Sequence, residues 1–261
     1  MNELKDKGAL VTGAASGIGK AIATAFIQAG ASVLLCDVNA KALSEVAGEL
    51  GGRAKSRVTD VSDETQVEAA VREARAAFGS LDIVVNVAGF GVIMPLTDLP
   101  AEKWKAVQAV SLNGVFYGVK HGARQMIEQG RAGVIINISS VNARQPGEGQ
   151  VAYCAAKAGV DMVTRCGALE LGSRGIRVVG IAPGLVETPL TKKELDDPAK
   201  RELFLDIIPM NRPVSAEEIG AAAVFLASDS ARSINGETIA IDGGSLTRGY
   251  PRLLTGLKKA S

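Results

Sequence analysis

The sequence predicts an α/β fold: a doubly wound parallel sheet flanked by helices on both faces. Three observations carry this expectation. Short β-branched apolar runs alternate with longer Ala-rich segments of helical period. The runs are apolar at consecutive positions, as strands covered on both faces are, rather than at every second one. A glycine-rich turn joins the first run to the first helical segment.

Taken in order, strands are expected at residues 9–11, 33–35, 81–85, 134–136, 178–181 and 238–241. Helices are expected near 18–29, 40–50, 63–78, 101–129, 152–172 and 215–228. Gly30 reads as a stop signal for the first helix, and Ser215 with Glu217 and Glu218 as the start of the last. One insertion, about 184–213, breaks the alternation, and a segment of that length is expected to serve as a substrate lid. There is no repeat, low-complexity tract or Pro/Gly/Ser linker, so residues 1–261 are expected to form a single domain with a C-terminal tail at 246–261. The apolar residues from Tyr250 to Leu257 in that tail are expected to pack on a neighbouring subunit near its substrate mouth.

Composition narrows the functional classes. Hydrophobic residues make up 47% of the chain and charged residues 22%, which suits a well-buried core. Twenty-nine Lys and Arg against 28 Asp and Glu leave a net charge of +1, with no footprint for nucleic acid or an anionic membrane. Cys36, Cys154 and Cys166 are odd in number and widely spaced, which fits neither a disulfide framework nor a zinc cluster. The single histidine, His121, leaves little for a His-based triad or a metal site and is expected to be a surface or packing residue. With no run of roughly 18 apolar residues and no hydrophobic leader at the amino end, a cytoplasmic protein is expected.

The first strand runs directly into Thr12-Gly13-Ala14-Ala15-Ser16-Gly17-Ile18-Gly19 and then into a helix. Glycines in such a turn let the backbone approach a pyrophosphate, and the helix amino terminus offers free N–H groups to the anion. The second strand ends at Asp37, 24 residues beyond Gly13, where a carboxylate accepts hydrogen bonds from the adenosine ribose. The same carboxylate repels a 2′-phosphate, and Ser16 and Asn39, where an NADP site would carry a cation, are neutral. NAD is the expected cofactor.

Tyr153 and Lys157 stand at i and i+4, on one face of a helix. A neighbouring ammonium favours the phenolate, which suits a phenol for taking a proton from an alcohol as hydride departs. Ser140, 13 residues earlier, follows the strand 134–136 at a carboxyl end, where open α/β sheets bind ligands.

At these residues the sequence resembles the short-chain dehydrogenase/reductase family, which is of Rossmann type, over roughly residues 7–245. The motifs that carry the likeness are Thr12 to Gly19, Asn86-Val87-Ala88-Gly89, Ser140 with Tyr153 and Lys157, and Pro183-Gly184 with Thr188. The resemblance implies that Tyr153 is the catalytic acid/base, that Lys157 lowers its pKa and holds the nicotinamide ribose, and that Ser140 positions the substrate oxygen. It implies cofactor contacts from Gly13, Ser16, Gly17, Ile18, Gly19 and Asp37, from Asp60 and Val61 at the adenine, and from Asn86, Ala88 and Gly89. Pro183, Gly184, Val186 and Thr188 are implied at the nicotinamide, and a homo-oligomer, a tetramer in preference to a dimer, is implied as well. The helix near 152–172, small or apolar on nearly every side, agrees with a subunit interface.

One departure matters. Where the family commonly carries a fourth catalytic asparagine before Leu-x-Gly-Val-Phe, this sequence has Ser111, and Asn113 is displaced by two residues onto another face. Ser111 is therefore the expected stand-in, its hydroxyl and carbonyl sustaining a water relay from Lys157 to solvent.

Cys154 is expected to be a small buried hydrophobe, and Arg144 either a solvated arginine or a partner for a substrate carboxylate. The loop from Phe90 to Leu96 and the lid residues Leu190, Leu203, Phe204, Leu205, Ile207, Ile208, Pro209 and Met210 are strongly apolar, so the small-molecule substrate is expected to have a hydrophobic or carbocyclic body. The expected activity is NAD(H)-dependent interconversion of a secondary alcohol and a ketone, without metal. A 3-oxoacyl carrier-protein reductase is the alternative within the family, and a non-catalytic nucleotide-sensing protein is the alternative from another class.

Overall fold

Where the chain is β-branched and apolar it forms strands, and where it is Ala-rich with helical period it returns along the sheet. The computed structural model describes residues 3–189, 191–249 and 251. The strands are β1 (Gly8–Thr12), β2 (Ser32–Asp37), β3 (Ala54–Val58), β4 (Ile83–Asn86), β5 (Gly133–Ile138), β6 (Ile176–Pro183) and β7 (Thr238–Ile241). All pair in parallel, in the order β3-β2-β1-β4-β5-β6-β7. The helices are α1 (Gly17–Gln28), α2 (Ala40–Leu50), α3 (Glu64–Phe78), α4 (Ala101–Gln108), α5 (Gly114–Glu128), α6 (Val151–Leu171), α7 (Lys192–Leu195), α8 (Pro198–Asp206) and α9 (Ala216–Ala227).

Consecutive strand residues feed two different cores. Ala9, Val11, Val33 and Leu35 join Ile22, Phe26 and Ile219 on the face covered by α1 and α9. Leu10, Leu34 and Ile135 join Val71, Val119 and Val160 on the face covered by α3, α5 and α6. The alternation of side chains along a strand sends neighbours to opposite faces, which is why these runs are apolar at every position. Cutting a fully buried leucine such as Leu34 back to alanine would cost about 2–5 kcal/mol.

Two elements differ from expectation. β3 has no apolar run: Ala54, Lys55, Ser56, Arg57 and Val58 form an edge strand, half-buried or exposed along its length. An edge strand needs no double apolar cover, so its sequence lacks that signal. The single helix expected at 101–129 is two helices joined by a turn of π-helix at Ala109–Asn113. Helix ends otherwise follow local chemistry: Gly30 takes φ 98° just beyond α1, and Ser215 with Glu218 closes a capping box on α9. The insertion at 184–213 carries α7 and α8, while Leu190, Tyr250 and residues 252–261 lie outside the described residues, and the tail expectation with them.

Candidate active site

The strand order reverses between β1 and β4, and ligands of such sheets bind outside the carboxyl ends of the strands at that point. A cleft of about 570 Å³ opens there. It is lined by residues at or just beyond the carboxyl ends of β1 through β6 in turn: Gly13, Asp37, Thr59, Gly89, Ser140 and Gly184. A second cavity of about 300 Å³ lies beside it. Ser140, Tyr153, Gly184 and Thr191 line both, so the phenol of Tyr153 stands where the two spaces meet.

At the far end of the cleft, Gly13 takes φ 63° and starts the turn into α1. A methyl group on Gly19 would stand 2.1 Å from the Gly13 carbonyl oxygen, so the loop and helix close on each other only with glycine there. Ser16 caps α1 in extended conformation without a side-chain hydrogen bond, which leaves the first N–H groups of the helix open toward the cleft. Asp37 accepts hydrogen bonds from the backbone N–H of Ala15 (3.1 Å) and of Asn39 (2.9 Å), so its carboxylate is fixed against the loop. Lys157 is the only lysine or arginine among the described residues that line this cleft, and it is at the other end.

That other end rests on α6. Lys157 is buried, donates to the Ile138 carbonyl oxygen at 2.7 Å, and stands 5.6 Å from the centre of the Tyr153 ring. Burial pulls its pKa down from 10.5 to about 8, with the nearby Asp161 carboxylate opposing. Ser140, also buried, accepts the Asn142 backbone N–H at 3.1 Å. A fixed phenol, ammonium and hydroxyl around one junction can hold an alcohol or ketone oxygen and exchange a proton with it.

Of the residues singled out from sequence, Gly13, Ser16, Gly17, Ile18, Gly19, Asp37, Asp60, Val61, Ala88, Gly89, Ser140, Tyr153, Lys157, Pro183, Gly184, Val186 and Thr188 all line the cleft. Asn86 does not. It is buried beneath the sheet end, where its Nδ2 donates to Asn137 Oδ1 at 2.8 Å and its Oδ1 presses against Gly118 of α5. The Asn86 side chain ties β4 to β5.

Ser111 has a partner that the sequence does not announce. In the π-helical turn its hydroxyl donates to the Phe90 carbonyl oxygen (2.9 Å) and accepts the Phe90 N–H (3.1 Å). It is fully buried, and these two bonds hold the Phe90 backbone. Its Oγ and Lys157 Nζ flank Gly89, each 3.3 Å from where a methyl group there would lie. Asn113 is exposed.

Arg144 is spoken for: its guanidinium donates to the Thr238 carbonyl oxygen at 2.5 Å and pairs with Asp161 at 3.7 Å. No substrate carboxylate is needed to explain it. Cys154 is half-buried, and its sulfur accepts the Gly147 N–H at 3.3 Å. His121 is buried on α5 with Nε2 3.0 Å from Glu64 Oε1, a packing residue with an ionic neighbour. Of the apolar lid residues, Phe204, Ile207 and Ile208 line the smaller cavity while Met210 is exposed. Sequence reasoning missed Val110, Ile138 and Thr59 in the cleft and Asn142, Gln150, Leu185 and Ser245 in the cavity, because no local pattern marks a residue that reaches a site from a distant segment.

Comparison with known proteins gives one answer. A family model described as enoyl-(acyl carrier protein) reductase matches residues 13–245. A D-threitol dehydrogenase of Mycolicibacterium smegmatis is 43% identical over 244 residues, covering 92% of this chain and 93% of its own. A 3-oxoacyl-[acyl-carrier-protein] reductase of Thermotoga maritima is 41% identical, with coverage of 92% and 98%. A solved short-chain type dehydrogenase/reductase from Mycobacterium ulcerans superimposes with a TM-score of 0.94 at 33% identity, covering 98% of this chain and 96% of its own.

Proposed function

The chain belongs to the short-chain dehydrogenase/reductase family, and we propose that it is an NAD(H)-dependent oxidoreductase interconverting a secondary alcohol and a ketone. The observation that supports this most is the shared wall: Ser140 and Tyr153 line both the cleft that fits a dinucleotide and the cavity that fits a small substrate. A bound nicotinamide supplies the hydride acceptor. The protein's own residues do the rest. Tyr153 takes the alcohol proton on its phenolate oxygen, Ser140 holds the same substrate oxygen, and Lys157 favours the phenolate from the next turn of α6. Ser111 acts through the Phe90 backbone, which it holds against the nicotinamide end of the cleft.

NAD is favoured over NADP because Asp37 presents a fixed carboxylate at the adenosine end and no described cation lines that end. The body of the substrate rests against Val92, Ile93, Leu185, Phe204, Ile207 and Ile208, which suits a hydrophobic or carbocyclic frame. No described helix is long and apolar enough to cross a membrane, and the three free cysteines suit a reducing, cytoplasmic setting. Exposed Phe116, Met162 and Leu169 on α5 and α6 suit burial in a homo-oligomer, a tetramer in preference to a dimer.

A 3-oxoacyl carrier-protein reductase is the second reading, favoured by the Thermotoga relative. Screening a panel of secondary alcohols with NAD, following absorbance of the reduced nicotinamide, tests the proposal. Turnover of at least one alcohol with NAD is expected. Ketone reduction confined to NADPH and carrier-protein thioesters would favour the second reading instead.

A further inference from the structure

The smaller cavity has a polar corner that proton transfer does not use. Asn142 and Gln150 line it, and both side chains are more than nine-tenths buried. They come together over Gly147: a methyl group there would stand 2.8 Å from Asn142 Nδ2 and 3.1 Å from Gln150 Nε2. The two carboxamide ends thus crowd the space beside Gly147. Asn142 Oδ1 lies 3.3 Å from Ser140 Oγ, and its Nδ2 reaches the Gln145 carbonyl oxygen only at 3.4 Å. Both contacts are at the long end of hydrogen bonding, so the Asn142 carboxamide keeps capacity for a better partner. No charged side chain is among the described residues lining the cavity, so the partner is neutral.

We propose that Asn142, with Gln150 beside it, recognises a second oxygen on the carbon next to the reacting one, making the substrate a neutral vicinal diol and the product an α-hydroxyketone. The inference rests on the reading of Ser140 and Tyr153 as holders of the reacting oxygen. Ser140 Oγ and Asn142 Oδ1 are 3.3 Å apart, close enough for the two groups to face oxygens on adjacent carbons. A carboxamide both donates and accepts, as a hydroxyl partner requires. Phe204, Ile207 and Ile208 share the lining and cover the carbon frame, so the substrate carries apolar as well as hydroxylated surface. The D-threitol dehydrogenase relative is named for a polyol, which agrees.

The test compares butane-2,3-diol with butan-2-ol as substrates of the native protein and NAD. The native kcat/KM is expected to be at least about thirtyfold higher for the diol, since a site that pairs a hydroxyl discriminates strongly against its absence. Asn142→Leu, with dinucleotide binding retained as the check on folding, is expected to bring that ratio below about threefold. Asn142→Ala is expected to do the same and serves if the leucine variant does not fold. Equal native efficiency on both alcohols would overturn the inference and leave the dehydrogenase reading standing. So would an equal loss on both substrates in the variants, which would make Asn142 a prop for Ser140 alone. Oxidation of neither alcohol, nor of any other secondary alcohol with either dinucleotide, would overturn the dehydrogenase reading and this inference with it.

Discussion

The two ends of the ligand space are made differently. At the end proposed for adenosine, Gly13 to Gly19 and Asp37 come from one strand–helix–strand unit, and backbone N–H groups, a helix terminus and one carboxylate define the surface. At the substrate end, the cavity draws on Gly91, Ser140, Gln150, Leu185, Phe204 and Ser245, residues from the loops after three strands, from α8 and from the segment after β7. The first is specified locally, by glycines such as Gly13 and Gly19 that cannot be replaced without moving backbone and by the side chain of Asp37. The second is specified by side chains held on separate loops, which can change without disturbing the sheet. The comparison teaches that cofactor and chemistry are written into the scaffold, whereas substrate choice is written onto it.

Variants at Lys157 give the largest expected effect. Lys157→Met removes the buried ammonium beside Tyr153, and turnover is expected to fall to background, by at least about a thousandfold in kcat. Steady-state kinetics on the best alcohol from the panel measures this, and retention of more than a tenth of native turnover would break the account of the scaffold end.

Next in size is the cofactor preference. The native protein is expected to prefer NAD over NADP by at least about tenfold in kcat/KM, or roughly 1.4 kcal/mol. Asp37→Ala combined with Asn39→Arg is expected to narrow or reverse it. Equal efficiency with both cofactors in the native protein would mean that the adenosine end is not selective.

How much of this was legible in the sequence follows the same division. The glycine turn, Asp37 and the Tyr153–Lys157 pair were readable because each is a short pattern whose spacing fixes its geometry. β3 was not, because an edge strand of Ala, Lys, Ser, Arg and Val has no burial signature. The inward turn of the Asn86 side chain was not legible, because a motif shows which turn a residue occupies and not whether its side chain faces the cleft or the sheet interior. The partner of Ser111 is hidden in the same way: Phe90 is 21 residues away, and the π-helical turn that brings them together leaves no mark in the hydrophobic period. Asn142 and Gln150 flank a loop whose path only the folded chain reveals.

Ser111 supplies a smaller effect. Ser111→Asn is expected to change kcat by less than about tenfold, because the position works by clamping the Phe90 backbone and a carboxamide can make the same two bonds. A much larger gain, measured under the same conditions, would show that serine is a defect in proton release.

The smallest effect is on stability. The folded-state pKa of Lys157, about 8, lies below its ordinary 10.5, so the folded protein binds fewer protons than the unfolded chain between those values. The group therefore destabilises the fold below about pH 8, and the penalty is relieved as pH rises toward 10.5. Lys157→Met is expected to raise the melting temperature at pH 7 by about 2–5 °C, and the gain is expected to shrink by pH 10. Thermal melts of both proteins across that range check it; a gain that grew with pH would contradict the burial of the ammonium.

The central claim is that Tyr153 carries the proton while the scaffold around it binds the dinucleotide independently. It is tested most directly on Tyr153→Phe, which keeps the ring and removes the ionisable hydroxyl, by measuring NAD binding and alcohol turnover on the same preparation. The account predicts binding within about threefold of native and a fall in kcat of at least about a hundredfold. Near-native turnover by the phenylalanine variant would contradict it.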